Sequence, residues 1–138
     1  MKYLSFLFAL AAVAVLYAGC QNKKGVETAV GLKRVHFDFD SSAIRDDMAK
    51  VLDANAGYLK RHKDLKITIE GNCDERGTNE YNLALGDRRA GAVERYLTGQ
   101  GVGGNRLKTV SYGEEKPICS KHSETCWWEN RRADFITD

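Results

Sequence analysis

The chain has 138 residues, which is enough for one domain with a sizeable core and too few for two ordinary domains. Its formal net charge is +2, from 21 basic and 19 acidic side chains. Because proteins that bind nucleic acid usually carry a basic excess or a basic stripe, and the sequence shows neither, this balance argues against nucleic-acid binding.

An apolar segment opens the sequence. Lys2 gives a positive start, an apolar run follows from Tyr3 to Tyr17, and Ala18-Gly19-Cys20 comes next. This order is typical of an export signal. The apolar run is too short to span a bilayer comfortably. We therefore expect residues 1–19 to be a signal peptide.

Leu16-Tyr17-Ala18-Gly19-Cys20 resembles a bacterial lipobox, which implies cleavage before Cys20 and acylation of that cysteine, for example with palmitate. Two or three acyl chains would anchor a protein stably without a spanning helix. Gln21, where some such lipoproteins have Asp, suggests the outer membrane. The alternative is a plain secretory signal followed by an incidental cysteine. Residues 20–33 are then the lipidated cysteine and a polar tether, and residues 34–138 a single domain.

Alternating apolar residues predict a first strand, in which Val35, Phe37 and Phe39 face one way. Ser41 or Ser42 is a candidate cap for the following helix, and acidic residues suit its first turn. The apolar stripe of this helix comprises Ile44, Met48, Val51, Leu52, Tyr58 and Leu59.

The remaining elements complete an α/β sandwich of the α+β type. Residues 65–71 predict a second strand, 80–100 a second helix ended by glycines, 106–112 a third strand and 132–136 a fourth. A short helical turn is expected near Trp127 and Trp128. The order β-α-β-α-β-β implies helices packed on a mixed four-stranded sheet.

The apolar face of the second helix contains two polar residues. At about 100° per residue, Asn82 and Arg89 fall among Leu85, Val93 and Leu97. Burying an unpaired guanidinium costs several kcal/mol, so the fold must supply an anion for Arg89, either its own or that of a ligand.

Three cysteines remain once Cys20 is assigned to lipid. An exported protein meets an oxidising compartment, so a disulfide between Cys119 and Cys126 is the preferred interpretation. The alternative is a zinc site made of Cys119, His122 and Cys126, with Cys73 as a fourth ligand. In the disulfide interpretation, Cys73 is a small buried residue at a strand end.

Four separated blocks resemble the outer-membrane-protein-A-like peptidoglycan-binding domain and, within it, the family of peptidoglycan-associated lipoproteins. The blocks are Val35-His36-Phe37-Asp38-Phe39-Asp40, residues 74–90 with the Asp-Glu-Arg-Gly-Thr run, Ser111-Tyr112-Gly113-Glu114-Glu115-Lys116-Pro117 and Asn130-Arg131-Arg132-Ala133. The resemblance covers residues 35–136. It implies binding to the free end of meso-diaminopimelate in the peptidoglycan stem peptide, without a cofactor.

The resemblance also implies which residues form the site. Asp74 would accept the ligand ammonium, and Arg89 would grip the carboxylate on the same carbon with its fork of donors. Asn82 would hydrogen-bond the ligand or orient Asp74. The other family positions at the pocket are Phe39, Asp40, Arg76, Gly77, Leu85 and, chosen over Arg132, Arg131. The structural alternative is that Asp74 and Arg89 only neutralise each other.

Two other functions compete with wall binding. Asp74 and Glu75 are the only tempting pair of catalytic carboxylates, but adjacent loop residues diverge, so we do not expect an enzyme. A protein-interaction module is the second alternative. The resemblance implies periplasmic Tol proteins as partners, in a system that maintains the envelope and serves cell division, and a location at the outer membrane.

Overall fold

The computed structural model describes residue 29 and residues 31–138. The predicted signal peptide, Cys20 and most of the tether lie outside these residues. The elements are β1 (Val35–His36), α1 (Asp46–Arg61), β2 (Ile67–Asn72), α2 (Asn79–Gly99), a 3-10 turn (Gly104–Arg106), β3 (Leu107–Gly113), α3 (Glu124–Asn130) and β4 (Arg132–Thr137).

The four strands form one mixed sheet in the order β1-β4-β2-β3. β2 and β3 are parallel, which requires a crossover connection, and α2 supplies it. β4 runs antiparallel to both of its neighbours, β1 and β2. The predicted architecture of helices on a mixed four-stranded sheet is confirmed.

One hydrophobic core lies between the sheet and the first two helices. Its fully buried members include Phe37, Leu52, Ile69, Val93 and Phe135, which come from both helices, from β2 and β4, and from the residue that follows β1. The helix stripes predicted from periodicity therefore point to the core. Because the core joins the two helices to the sheet, it fixes the end of β2 relative to the first turns of α2.

The first strand is shorter than its alternating pattern predicts. Strand pairing ends at His36, and Phe37 is the last buried residue of the pattern. Phe39 is 56% exposed, and Asp40 has a φ of 53°, a left-handed conformation that turns the chain. This turn frees Phe39 and Asp40 from the sheet.

The serine cap predicted for α1 is wrong. The helix begins after Arg45, whose side chain makes no capping hydrogen bond. Ser41 Oγ instead accepts a hydrogen bond from the Ala43 N–H at 3.1 Å, within the preceding turn. The acidic first turn, Asp46 and Asp47, is as predicted.

Two glycines bring α2 unusually close to the sheet. A Cβ at Gly71 would overlap the carbonyl of Gly86, and a Cβ at Gly86 would overlap Ser111 Oγ and lie 2.9 Å from the Gly71 carbonyl oxygen. Only glycine fits this backbone contact. The contact places the N-terminal half of α2 directly over the end of β2.

α3 is a complete helix where the sequence predicted only a turn. Among residue 29 and residues 31–138, no helix combines the length and the apolar character needed to cross a membrane.

Candidate functional site

A cavity of about 220 Å³ opens where the chain leaves β1 and β2 and enters α2. Eight of the nine residues predicted to bind ligand line it: Phe39, Asp40, Asp74, Arg76, Gly77, Asn82, Leu85 and Arg89. Cys73 and Tyr81 also line the cavity, and the sequence analysis missed them. Both are next to predicted residues, since Cys73 precedes Asp74 and Tyr81 precedes Asn82.

Arg89 is fully buried at the inner wall of this cavity. Its guanidinium donates three hydrogen bonds to backbone carbonyls: Nε to Ser41 at 2.8 Å, Nη1 to Asn72 at 2.9 Å and Nη2 to Asp38 at 3.0 Å. A guanidinium has five N–H donors, so donors remain beyond these three. Burial lowers the pKa of Arg89, which reflects the cost of holding this cation away from water.

The alternative that Asp74 and Arg89 simply neutralise each other is not what the structure shows. Among the ion pairs of the described residues, none includes Arg89, and Asp74 pairs with Arg76 and Arg131 instead. The fold thus gives Arg89 carbonyl dipoles but no carboxylate. A buried cation at a cavity wall with this set of partners has the chemistry to bind an anion.

Asp74 is 3% exposed and accepts four hydrogen bonds. Three come from Arg76: its backbone N–H at 2.9 Å, Nε at 3.1 Å and Nη2 at 2.8 Å. The fourth comes from Arg131 Nη1 at 3.3 Å. Burial raises the pKa of Asp74, but the hydrogen bonds from Arg76 and Arg131 outweigh it, so the net shift is downward. The carboxylate is therefore held ionised.

The two arginines of the Asn-Arg-Arg block face opposite ways. Arg131 reaches behind Asp74, and its Nη2 donates to Glu124 at 2.6 Å. Arg132 pairs with Asp134 at 2.8 Å, away from Asp74. Arg131 does not line the cavity itself. It contacts the site through Asp74, so it positions that carboxylate.

The side chain of Arg76 is sandwiched between two aromatic rings. Its guanidinium carbon lies 3.8 Å from the centre of the Phe39 ring and 4.0 Å from that of Trp127. Such cation–π contacts contribute about 0.5–1 kcal/mol at exposed sites. Trp127 was not among the predicted site residues, because its place depends on α3, which the sequence did not predict in full.

The segment from Cys119 to Cys126, which is closed by a disulfide, packs against the loop that carries Asp74. Cys119 and Cys126 are bonded, so the predicted disulfide is present and the zinc alternative, which needs both thiolates, is wrong. Within this segment His122 Nδ1 lies 2.5 Å from Glu75 Oε1, and just after it Trp127 Nε1 donates to the same oxygen at 2.9 Å. These contacts tie the disulfide-closed segment to the loop that carries Asp74.

Asn82 holds the loop between β2 and α2. Its Nδ2 donates to the Arg76 carbonyl at 3.2 Å and to the Asp74 carbonyl at 3.4 Å. Thr78 caps α2, since its hydroxyl accepts from the Tyr81 N–H at 3.2 Å. Asn82 thus orients the backbone around Asp74 rather than its carboxylate.

Asp40 provides a second carboxylate at the cavity. Its left-handed backbone turns the side chain toward α2, where it accepts a hydrogen bond from the Tyr81 hydroxyl. Asp40 is exposed, whereas Asp74 is buried. The cavity therefore presents two acidic side chains and the buried Arg89 on its walls.

Cys73 is buried next to Asp74, as predicted. Its thiol donates to the Asn82 carbonyl at 3.2 Å, and burial raises its pKa to about 11. A thiol with this pKa stays protonated at neutral pH and is a poor nucleophile.

Comparison with known proteins identifies a family match. Residues 36–131 match the OmpA family. A peptidoglycan-associated lipoprotein of Brucella melitensis is 52% identical over 100 residues, which cover 72% of this chain and 60% of that relative. One from Pasteurella multocida is 40% identical over 146 residues, covering 96% of this chain and 97% of the relative.

The fold also has solved counterparts. The crystal structure of the peptidoglycan-associated lipoprotein from Burkholderia pseudomallei superposes with a TM-score of 0.74 at 49% identity, and covers 77% of this chain and 90% of that chain. The chain spans about 60% of the length of the Brucella relative.

Proposed function

This chain belongs to the OmpA family, and from that premise we propose that it binds peptidoglycan non-covalently and tethers the outer membrane to the cell wall. The ligand is the free end of diaminopimelate in the stem peptide. Acylation at Cys20 supplies the membrane anchor, with the domain facing the periplasm. The names of the relatives support the link to peptidoglycan and to lipid anchoring.

This proposal rests mainly on the burial and the hydrogen-bond partners of Arg89. Arg89 is a fully buried cation at a cavity wall, and its partners among the described residues are carbonyls. A ligand carboxylate in the cavity would supply the missing countercharge. An arginine fork favours a carboxylate geometrically, because two parallel N–H donors match its two oxygens.

The ammonium of the same amino acid end then needs an anion nearby. Asp74 is held ionised, but Arg76 occupies both of its oxygens. Since Arg76 is on a surface loop and its side chain is 31% exposed, its guanidinium can leave Asp74 without disturbing the core. We propose that the ligand ammonium replaces this guanidinium on Asp74, and that Asp40, which also lines the cavity, adds negative potential.

The size of the cavity fits a single amino acid end. At about 220 Å³ it is smaller than the 300–1,000 Å³ typical of sites for whole drug-sized ligands. The stem peptide would thus insert its terminus and leave the glycan outside. Losing one partner of such a desolvated charge pair costs about 2–5 kcal/mol, which is at least about thirtyfold in affinity.

Titration calorimetry with stem peptides tests this proposal without altering the protein. Three peptides are compared: one with diaminopimelate, one with lysine in its place and one with the terminal amine of diaminopimelate acetylated. Lysine lacks only the terminal carboxylate. We expect both altered peptides to bind at least about thirtyfold more weakly. Equal affinity for the lysine peptide would refute the role of Arg89.

Binding rather than catalysis is also supported by the two neighbouring carboxylates. Asp74 bonds inward to Arg76 and Arg131, whereas Glu75 bonds outward to His122 and Trp127. Glycoside hydrolysis needs two carboxylates on opposite sides of one bond. The divergence of this pair therefore speaks against a wall-cutting enzyme.

A protein partner is the second candidate function. Phe39, Tyr81 and Leu83 are exposed apolar side chains beside the cavity, and such residues are enriched where proteins dock. We propose that periplasmic Tol proteins use this surface, in which case wall and protein would compete for it. In the same calorimetry, a Tol protein is titrated into this chain after the chain has been saturated with the diaminopimelate peptide. Weaker binding of the Tol protein would indicate overlapping sites, and unchanged binding would indicate separate sites.

A further inference from the structure

The end of the sheet opposite the cavity is basic. This basic pole comprises Lys60, Arg61, Lys63, Lys66, Arg106 and Lys108. They come from the last turn of α1, the loop that follows it and the start of β3. All of these residues are exposed except the half-buried Arg106.

Hydrogen bonds hold the basic pole together. Arg106 Nη2 donates to the His62 carbonyl at 2.7 Å, which ties the start of β3 to the end of α1. The Asp138 N–H donates to the Lys66 carbonyl at 3.1 Å, and its carboxylate lies 3.3 Å from Lys108 Nζ. Residues from three separate segments are therefore fixed on one end of the fold.

The charge of the domain is strongly polarised along the strands. The basic pole holds six Lys or Arg residues and only two acidic ones, Asp64 and Asp138. Residues 31–138 contain eighteen basic and eighteen acidic side chains, so they are neutral as a whole. The rest of the domain, which includes the cavity, consequently carries a net charge of −4. Overall neutrality conceals this polarity in the composition.

Ala29, the first described residue, contacts β4 two residues away from its end at the basic pole. The Ala29 N–H donates to the Phe135 carbonyl at 2.7 Å, and two residues further along β4 Thr137 pairs with Ile67, next to Lys66. Cys20 precedes Ala29 by nine residues, which span at most about 30 Å when fully extended. A lipid on Cys20 would keep Ala29 within that distance of the membrane, and the basic pole begins two residues further along β4.

We propose that the basic pole binds the anionic phospholipid headgroups of the membrane that anchors the chain. This inference rests on the proposed acylation of Cys20. Binding of this kind would orient the domain with the basic pole against the membrane. The rest of the domain, which carries the net charge of −4, would be repelled by the same headgroups and point away from them. The cavity, about one strand length or ~20 Å away, then faces the cell wall.

The chemistry of the pole favours a headgroup surface as the occupant. Lys and Arg are the residues that phosphates attract, and several exposed basic side chains on one end of the fold suit the many phosphates of a headgroup surface. Attraction of this kind extends only about 8 Å at physiological salt, so it acts when the pole lies directly against the headgroups. Lys23 and Lys24 in the tether add to the same charge.

Vesicle co-sedimentation of residues 21–138, which contain every described element of the fold, tests the proposal without the acyl anchor. Vesicles of phosphatidylcholine with one third phosphatidylglycerol are compared with pure phosphatidylcholine. We expect binding only to the anionic vesicles, and a marked loss when salt rises from about 50 to 300 mM. Equal binding to both vesicles would overturn the proposal.

A pair of charge-reversal variants locates the surface. Lys60→Glu/Lys63→Glu alters the pole, and Lys50→Glu/Lys121→Glu changes the net charge equally at exposed positions outside it. We expect the pole variant to bind anionic vesicles at least about tenfold more weakly and the control to bind nearly as wild type. Equal losses in both would contradict a defined pole. Pelleting of the pole variant with cell-wall sacculi should stay unchanged, so a failure of wall binding is seen separately.

Discussion

At the scale of single residues, the arginines of the site donate hydrogen bonds to two kinds of acceptor, backbone carbonyls and a carboxylate. Arg89 is satisfied by carbonyls, while Arg76 and Arg131 converge on one buried carboxylate, Asp74. Carbonyl dipoles supply only partial charges to a buried cation, whereas a carboxylate supplies an opposite formal charge. This division leaves the cavity with a buried cation that has no carboxylate partner among the described residues, and with an ionised acid.

Asp74→Asn tests the paired carboxylate. At pH 7 we expect the variant to lose about 1.5–3 kcal/mol of unfolding free energy, because hydrogen bonds to a charged group are replaced by weaker ones. The pKa of Asp74 is lowered on folding, so its contribution is present above the ordinary value of 3.8 and is lost as pH falls through the lower folded pKa.

Urea unfolding of wild type and Asp74→Asn from pH 7 down to pH 2.5 measures this contribution. The difference between them should shrink below about pH 4. Asp87→Asn, at an exposed position on α2, is the control and should change little at any pH. A difference that persists unchanged at the lowest pH would show that Asp74 contributes through packing rather than charge.

Helical periodicity was sufficient to place Asn82 and Arg89 on the buried face of α2, and the structure buries both. The partners of Arg89 were beyond sequence reasoning, because Asp38, Ser41 and Asn72 contribute backbone carbonyls from separate parts of the chain. Any residue type supplies a carbonyl, so these positions leave no mark in the sequence.

At the scale of elements, the approach of α2 to β2 determines where the cavity residues lie. The helix backbone touches the strand at Gly86 and Gly71, three residues before Arg89 and Asp74 respectively. Displacing the helix here would move both charges relative to each other. The sequence signalled neither glycine as special, since Gly86 lies within an otherwise ordinary helical pattern.

Gly86→Ala tests this contact. Its Cβ would overlap Ser111 Oγ and crowd the Gly71 carbonyl, so we expect a loss of about 1–3 kcal/mol of unfolding free energy. Gly91→Ala in the same helix is the matched control. There the nearest atom is the flexible end of Arg95 at 3.2 Å, and helix propensity should stabilise the protein by up to about 1 kcal/mol. Thermal unfolding of both variants measures these changes in stability. Equal changes in Tm for the two variants would contradict a close contact at Gly86.

The disulfide-closed segment is the element that sequence analysis resolved least well. It predicted the Cys119–Cys126 bond but only a turn for α3, because seven residues give too little periodicity to define a helix. Trp127 and Glu124, which contact Arg76 and Arg131, were missed for that reason.

Cys119→Ser/Cys126→Ser tests the contribution of the disulfide. Closing so short a loop should stabilise the fold by about 2–3 kcal/mol, which the double variant should lose. Reduction of the wild type should reproduce the loss, and serves as a control for the substitutions. If chemical unfolding showed no difference between oxidised and reduced protein, the bond would be dispensable for stability.

At the scale of the whole molecule, a short sheet separates two chemically different ends. Alternation and helical stripes identified the strands, the two long helices and the core, because burial of apolar side chains dominates folding. The charge polarity was not predicted, since the basic pole is assembled from three segments within a neutral domain. In our account the cavity end serves the wall and the basic end the membrane.

Co-sedimentation of residues 21–138 with sacculi containing diaminopimelate tests the central claim most directly. Wild type is compared with Asp74→Ala, Arg89→Leu and Arg89→Lys, each verified as folded by cooperative unfolding, because loss of the Arg89 hydrogen bonds also costs about 1–3 kcal/mol of stability. We predict that wild type pellets with the wall and that each variant binds at least about thirtyfold more weakly, Arg89→Lys included because lysine lacks the planar fork. Undiminished pelleting by folded Asp74→Ala and Arg89→Leu would contradict the account.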